Sequence, residues 1–173
     1  MKPLLAALLL FLALTPRTAG ADQRIVVFKA ARQLQLLSDG AVVKTYRIGL
    51  GTNPVGHKQR QGDGRTPEGT YYVCVKNERS KFYLSLGLSY PDPGDAARAV
   101  AAGIISRAQH NAFVQAHRDR TTPPWNTALG GEIFIHGNGS GSDWTYGCIA
   151  LDDADIKELF ALVPKGTTVE IRP

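Results

Sequence analysis

The alternation of apolar and polar positions divides the chain into strand-type and helix-type blocks. Arg24–Ala30 and Arg32–Leu37 have strand character, with Leu34 and Leu36 alternating with Gln33 and Gln35 at period two. Asp39-Gly40 is a hairpin signal, since both residues tolerate positive φ, and it predicts a third strand over Ala41–Ile48. Gly49–Gly69 has little periodicity and is dense in glycine, charge and proline, which predicts a long ordered loop. Loops of that length inside compact domains are usually functional. Thr66-Pro67-Glu68-Gly69 marks a turn within it, proline setting φ and glycine supplying the unusual one. Tyr71–Lys76 and Phe82–Leu88 predict two more strands.

Pro91 and Pro93 interrupt the strand pattern. Asp95–Gly103 reads as a short helix with an N-cap aspartate, an alanine-rich body and a closing glycine. Ser106-x-x-Gln109 is a capping box that opens a second helix to about Arg118. Thr121–Gly131 is a loop returning to a strand at Glu132–His136. The insertion between Ser89 and Gly131 is either a lid or a pair of packed helices, and packing is the expectation because nothing in it reports motion. Asp152 is expected to cap a last helix, with Ile156, Leu159, Phe160 and Val163 at i, i+3, i+4 and i+7. Pro164 and Gly166 stop that helix, and Thr167–Arg172 predicts a final strand.

The amino terminus changes the picture of where the chain works. Lys2, the apolar run Leu4–Leu14 and Ala19-Gly20-Ala21 have the order of a signal peptide, so residues 1–21 are expected to be removed and 22–173 to form one domain. The 11-residue apolar run is too short for the roughly 20 residues of a bilayer span, so no stable membrane span is expected. Loss of Lys2 and Arg17 lowers the formal charge from +5 to +3. Such mild basicity suits an anionic polymer such as a cell wall, or simply a solvated surface. No basic run interleaves with aromatics, so nucleic acid is not an expected partner.

Candidate chemistry concentrates in one stretch. Ile133-Phe134-Ile135-His136-Gly137 is a strand-type run delivering a histidine, and Asp143 to Leu151 presents Gly147-Cys148 twelve positions after it. Catalysis by sulfur needs a thiol, a base in reach and N–H groups for an oxyanion. Cys148 is therefore the expected nucleophile, and His136 the base that later returns the proton as an acid. The backbone of Tyr146 and Gly147 is expected to hold the oxyanion. Trp144 either walls the cleft or packs as an ordinary aromatic, and Arg65 either binds a substrate carboxylate or is solvated. Cys74 lies mid-strand; a Cys74–Cys148 bridge is weighed because an exported chain has two cysteines, but the glycine turn beside a histidine favours a free thiol at 148. His110 and His117 are about 10 Å apart along one helix, too far for one ion, and no Cys-x-x-Cys pair occurs, so no metal or cofactor is expected. His57 stands alone in the long loop.

His-Gly, a glycine-rich connection and Gly-Cys-Ile-x-Leu resemble the catalytic signature of the L,D-transpeptidases (YkuD-type domain). The resemblance extends to Pro54-Val55-Gly56-His57-Lys58, to Gly62-Asp63-Gly64-Arg65-Thr66-Pro67-Glu68-Gly69 and to the terminal helix and strand. The motifs Asp-Trp-Thr-x-Gly-Cys-Ile-Ala-Leu and Gly-Asp-Gly-Arg-Thr-Pro-Glu-Gly point to one branch of that family. Thr145-Tyr146-Gly147-Cys148 carries tyrosine where many members have a second histidine, and Ala150 stands where a polar residue is common. The resemblance implies a mixed, mainly β, sandwich-type catalytic domain with a few short helices and Cys148 at the mouth of a cleft. It also implies a bacterial enzyme of the periplasm or cell-wall space, acting in peptidoglycan biosynthesis and cell shape. Cys148 would form a thioester with a peptidoglycan stem peptide and pass the acyl group to an amine, that of another stem or of a wall-attached lipoprotein. Two alternatives stay open: a hydrolase on the same scaffold, and a non-catalytic wall-binding module.

Overall fold

β1 (Gln23–Phe28) and β2 (Gln33–Ser38) pair antiparallel, and β2 turns into β3 (Ala41–Arg47) through Asp39 at φ 49° and Gly40 at φ 80°. Two successive left-handed residues match the twist of a two-residue hairpin, which is why Asp-Gly occurs there. The structure, a computed structural model, describes residues 22–173; the expected signal peptide lies outside the described residues. β8 (Thr168–Arg172) runs parallel to β1 and antiparallel to β4 (Gly69–Ser80). β5 (Tyr83–Leu88), β6 (Phe134–His136) and β7 (Ile149–Ala150) complete an eight-stranded mixed sheet in the order β3-β2-β1-β8-β4-β5-β6-β7.

β4 joins the two halves of this sheet. Residues 69–72 pair with β8, whereas pairing with β5 begins at Val73, with register shifts at Val73/Val75 and Asn77/Ser80. Bulges bend a strand, and the bend lets both halves share a core. Ile25, Leu34 and Tyr46 from one half belong to the same buried cluster as Leu86, Ile135 and Ile149 from the other. Isolated bridges Gly49↔Ala150 and Gly51↔Thr145 tie the segment after β3 to the region of β7. Helix α3 (Asp153–Leu162) adds Ile156 and Leu159 to that core.

The insertion between β5 and β6 folds as two packed helices, α1 (Pro93–Ala101) and α2 (Arg107–Arg118). They build a second, smaller core from Ala96, Ala99, Ile105, Phe113 and Leu129. The Ser106/Gln109 capping box is present at 3.2 and 2.9 Å. One expected cap is corrected, and a second holds in position without its side-chain bond. Asp92, not Asp95, caps α1: its carboxylate accepts from Asp95 N–H (2.7 Å) and Asp95 answers to Asp92 N–H (2.9 Å). Pro93 can open the helix because a first-turn N–H has no partner to lose. Asp152 occupies the N-cap of α3, but its carboxylate takes the Ser140 N–H (2.8 Å) and hydroxyl (3.1 Å) instead of helix N–H groups.

The strand expected at Glu132–His136 begins only at Phe134, since Glu132 has a left-handed φ of 53°. β7, which the periodicity does not announce, forms where Ile149 and Ala150 pair with β6. The 49–69 loop is ordered by a buried ammonium. Lys29 Nζ donates to Gly56 O (2.6 Å), Thr66 O (2.9 Å) and Glu68 Oε1 (2.8 Å). Among the described residues no helix is long and apolar enough to cross a membrane.

Candidate active site

Parallel pairing of β6 with β7 brings the thiol and the imidazole together. Ile135 is opposite Ile149 and His136 opposite Ala150, so Cys148 falls in register with Phe134. Side chains alternate across a strand, so Ile135 and Ile149 enter the core while Cys148 and His136 share the other face. The Phe134 N–H donates to Cys148 Sγ (3.4 Å), and the thiol lies 3.5 Å from Glu132 O. Both cysteines are free; Cys74 is buried in β4 with its sulfur 3.4 Å from Gly87 O.

His136 is buried and its ring is held on three sides. Phe82 stacks on it at 4.6 Å between centroids and Trp144 meets it edge-on at 5.5 Å. Its Nδ1 lies 2.7 Å from Gly137 O, and a carbonyl only accepts, so Nδ1 carries the proton and Nε2 keeps its lone pair. Burial lowers the His136 pKa below its usual 6.5, partly offset by the Gly137 carbonyl. Burial pushes the Cys148 thiol up, against the Phe134 N–H and the Lys58 ammonium, which favour the thiolate. Both shifts favour the uncharged forms, thiol and imidazole.

Thr145 shapes the turn before the cysteine. Its hydroxyl accepts from Gly147 N–H (3.1 Å) and donates to Cys148 O (2.8 Å). This corrects the expectation that Gly147 N–H would hold an oxyanion, because that donor is already used inside the turn. Tyr146 and Cys148 N–H have no hydrogen bond among the described residues and remain the available donors. Glycine is required at 147 on two counts: φ is 125°, and a Cβ would meet Arg65 O at 2.6 Å. The loop before the turn is anchored at Asp143, which accepts Leu50 N–H (2.9 Å) and pairs with Arg32 (2.6 Å). Burial alone would raise the Asp143 carboxyl, but Arg32 and the Leu50 N–H outweigh it and hold it below the usual range.

Cys148 and His136 open on a cavity of about 550 Å³, which Trp144 and the 88% exposed Tyr146 also line. A second cavity, about 370 Å³, meets the first at Phe82, Glu132, His136 and Cys148. Arg65 is not brought to either cavity. Its guanidinium turns to His57 O (3.4 Å). Lys58 does line the larger cavity and was not singled out from the sequence. It is 2% exposed, and its Nζ donates to Asp63 Oδ1 (2.8 Å) and Arg60 O (3.1 Å). A lysine is seldom buried without a partner, but nothing in the loop's composition signals that burial. α1 and α2 line neither of these cavities.

A family model described as the L,D-transpeptidase catalytic domain (YkuD) matches residues 22–171. The chain belongs to this family. Solved structures support the same fold. The helical cell shape determining protein of Campylobacter jejuni superposes with a TM-score of 0.61 at 21% identity, over 89% of this chain and 48% of that one. An L,D-transpeptidase of Xylanimonas cellulosilytica gives 0.54 at 16%, over 91% of this chain and 63% of that one. One from Mycobacterium smegmatis gives 0.53 at 12%, over 89% and 60%. The chain thus spans about half to two thirds of these similar structures. Among curated protein sequences none matches it significantly. Family membership agrees with the expected fold class, a mainly β mixed sheet with three short helices.

Proposed function

We propose that this chain is an exported, cysteine-dependent L,D-transpeptidase of peptidoglycan. Cys148 Sγ attacks the carbonyl of a stem-peptide bond joining an L-centre to a D-centre, and His136 Nε2 takes the thiol proton. The oxyanion lies against the N–H groups of Tyr146 and Cys148, donors of a kind worth about 3 kcal/mol each. Collapse expels the terminal residue as an amine that receives the proton from His136. The resulting thioester is then attacked by an amine.

The observation that carries this reading is the shared face of Cys148 and His136, both lining one cavity, with Nδ1 tied to a carbonyl and Nε2 without a hydrogen bond among the described residues. The test is incubation of the protein with purified sacculi, followed by muropeptide analysis. The wild type should give new amide-linked products and Cys148→Ala none, with unfolding unchanged. Products of cleavage alone would make it a hydrolase on this scaffold. No product, with an unreactive thiol, would leave a wall-binding module.

A further inference from the structure

The charge around the thiol is asymmetric. Glu132 is the one carboxylate lining either of the two cavities among the described residues, and it lies where they meet, beside Cys148. Lys58 lines the larger cavity but is already paired with Asp63 (2.8 Å), whereas Arg79 and Lys81 line the smaller. Glu132 is exposed and enters no salt bridge among the described residues. Its backbone adopts φ 53°, a conformation that glycine or asparagine takes at less cost. A charged side chain on a left-handed backbone where the two cavities meet is a candidate for a task there. Its negative charge also raises the Cys148 pKa, so it does not serve to activate the thiol. A task in the second half-reaction, when the sulfur is an uncharged thioester, carries no such conflict.

We propose that Glu132 binds the ammonium group of the incoming amine and so selects a cationic acceptor over water at the thioester. The inference rests on the acyl-enzyme reading above. With the carboxylate holding R–NH3+ beside the thioester, His136 Nε2 removes one proton and the neutral amine attacks the carbonyl carbon. The C–S bond breaks as the C–N bond forms. A second nitrogen-bound proton returns to the departing Cys148 sulfur, and the imidazolium releases the first to solvent. The amide is formed, the thiol is restored and one proton is lost overall. Arg79 and Lys81 in the smaller cavity repel a bare ammonium and favour carboxylates, so an acceptor carrying both groups is oriented with its amine toward sulfur.

The experiment compares the wild type with Glu132→Gln, whose exposed position should leave folding intact. A tetrapeptide stem serves as donor. The acceptors are a diaminopimelate-containing tripeptide stem, whose amine is cationic, and hydroxylamine, largely uncharged at slightly alkaline pH. Glu132→Gln should keep thioester formation, raise the half-saturating concentration of the cationic acceptor about tenfold, and leave hydroxylamine unaffected. Iodoacetamide alkylation of Cys148 near neutral pH should become faster, and Glu132→Asp should restore part of the preference for the cationic acceptor. An unchanged cationic acceptor, or equal weakening of both acceptors, would overturn the assignment. A wild type that forms the thioester but yields only hydrolysis product would also overturn it while sparing the acyl-enzyme reading. A wild type that forms no thioester removes both.

Discussion

Two histidines of this chain border cavities, and their difference shows what makes an imidazole useful as a base. His57 has the company usually associated with catalysis: its Nε2 lies 2.8 Å from Oδ1 of Asp95, a carboxylate only 3% exposed. Its Nδ1 accepts the Glu68 N–H at 3.0 Å, so both nitrogens are committed. The cavity beside it, about 240 Å³, is lined by no thiol or hydroxyl among the described residues. Asp95 also receives Arg98 (2.5 Å) and the Tyr71 hydroxyl (3.3 Å), making this cluster a clasp between the long loop and α1. His136 has no carboxylate, only a carbonyl on Nδ1 and two aromatic rings, yet it shares a strand face with a thiol. Both nitrogens of His57 are committed to structure, whereas Nε2 of His136 has no hydrogen bond among the described residues and its ring lines the same cavity as a thiol.

The sharpest way to break this comparison is to exchange the roles by mutation. His136→Ala should slow acylation of Cys148 by a carbapenem at least 100-fold, the usual scale for losing a general base, while His57→Gln should stay within about tenfold. Comparable losses in the two variants would make His57 part of the chemistry. The pH dependence sharpens the same point. Burial lowers the His136 pKa below 6.5, so the basic form should persist to more acidic pH than an ordinary histidine, and the acid limb of acylation should fall below 6.5. The linkage has a definite sign. The unfolded state binds more protons than the folded one between the lowered pKa and 6.5, so this contribution to stability is full above 6.5 and is lost as pH falls through that window. An acid limb at or above 6.5 in single-turnover acylation would contradict the assignment of His136 as base.

The clasp should answer to stability instead. Asp95→Ala leaves His57, Arg98 and the Asp92 N–H without their shared acceptor, and should cost about 3 kcal/mol in denaturant unfolding, as breaking a buried charged pair does. The folded fraction should still acylate. A stable variant with abolished acylation would move Asp95 from structure into mechanism. The smallest effect is expected at Tyr146. Its side chain is 88% exposed and its contribution to the oxyanion would come from the backbone, so Tyr146→Phe should keep acylation within about tenfold. A loss of several hundredfold in the same assay would put the phenol in the first chemical step.

What could be read before folding was local and periodic. The Asp39-Gly40 hairpin, the Ser106/Gln109 capping box and the buried face of α3 all arise from residues within a few positions of one another. The histidine run and the glycine-flanked cysteine were equally visible, because each needs only its neighbours to be noticed. The start of α1 was misjudged because Asp92 and Asp95 both suit a cap, and only the reciprocal hydrogen bonds distinguish the cap from its third residue.

The sequence by itself therefore determined the strand-rich plan, the turn that only glycine can make before Cys148, and which two side chains are the candidates for chemistry. Tertiary structure decided that both nitrogens of His57 are committed, that Gly147 N–H is spent on Thr145, that Arg65 faces His57 while Lys58 reaches the cavity, and that β7 puts Cys148 on the same face as His136. The reason is separation along the chain. Arg32 and Asp143, 111 residues apart, together with the Leu50 N–H, fix the loop that carries the cysteine. A backbone N–H has one proton to donate, so which donor remains for chemistry is settled only when every competing acceptor has been brought into place.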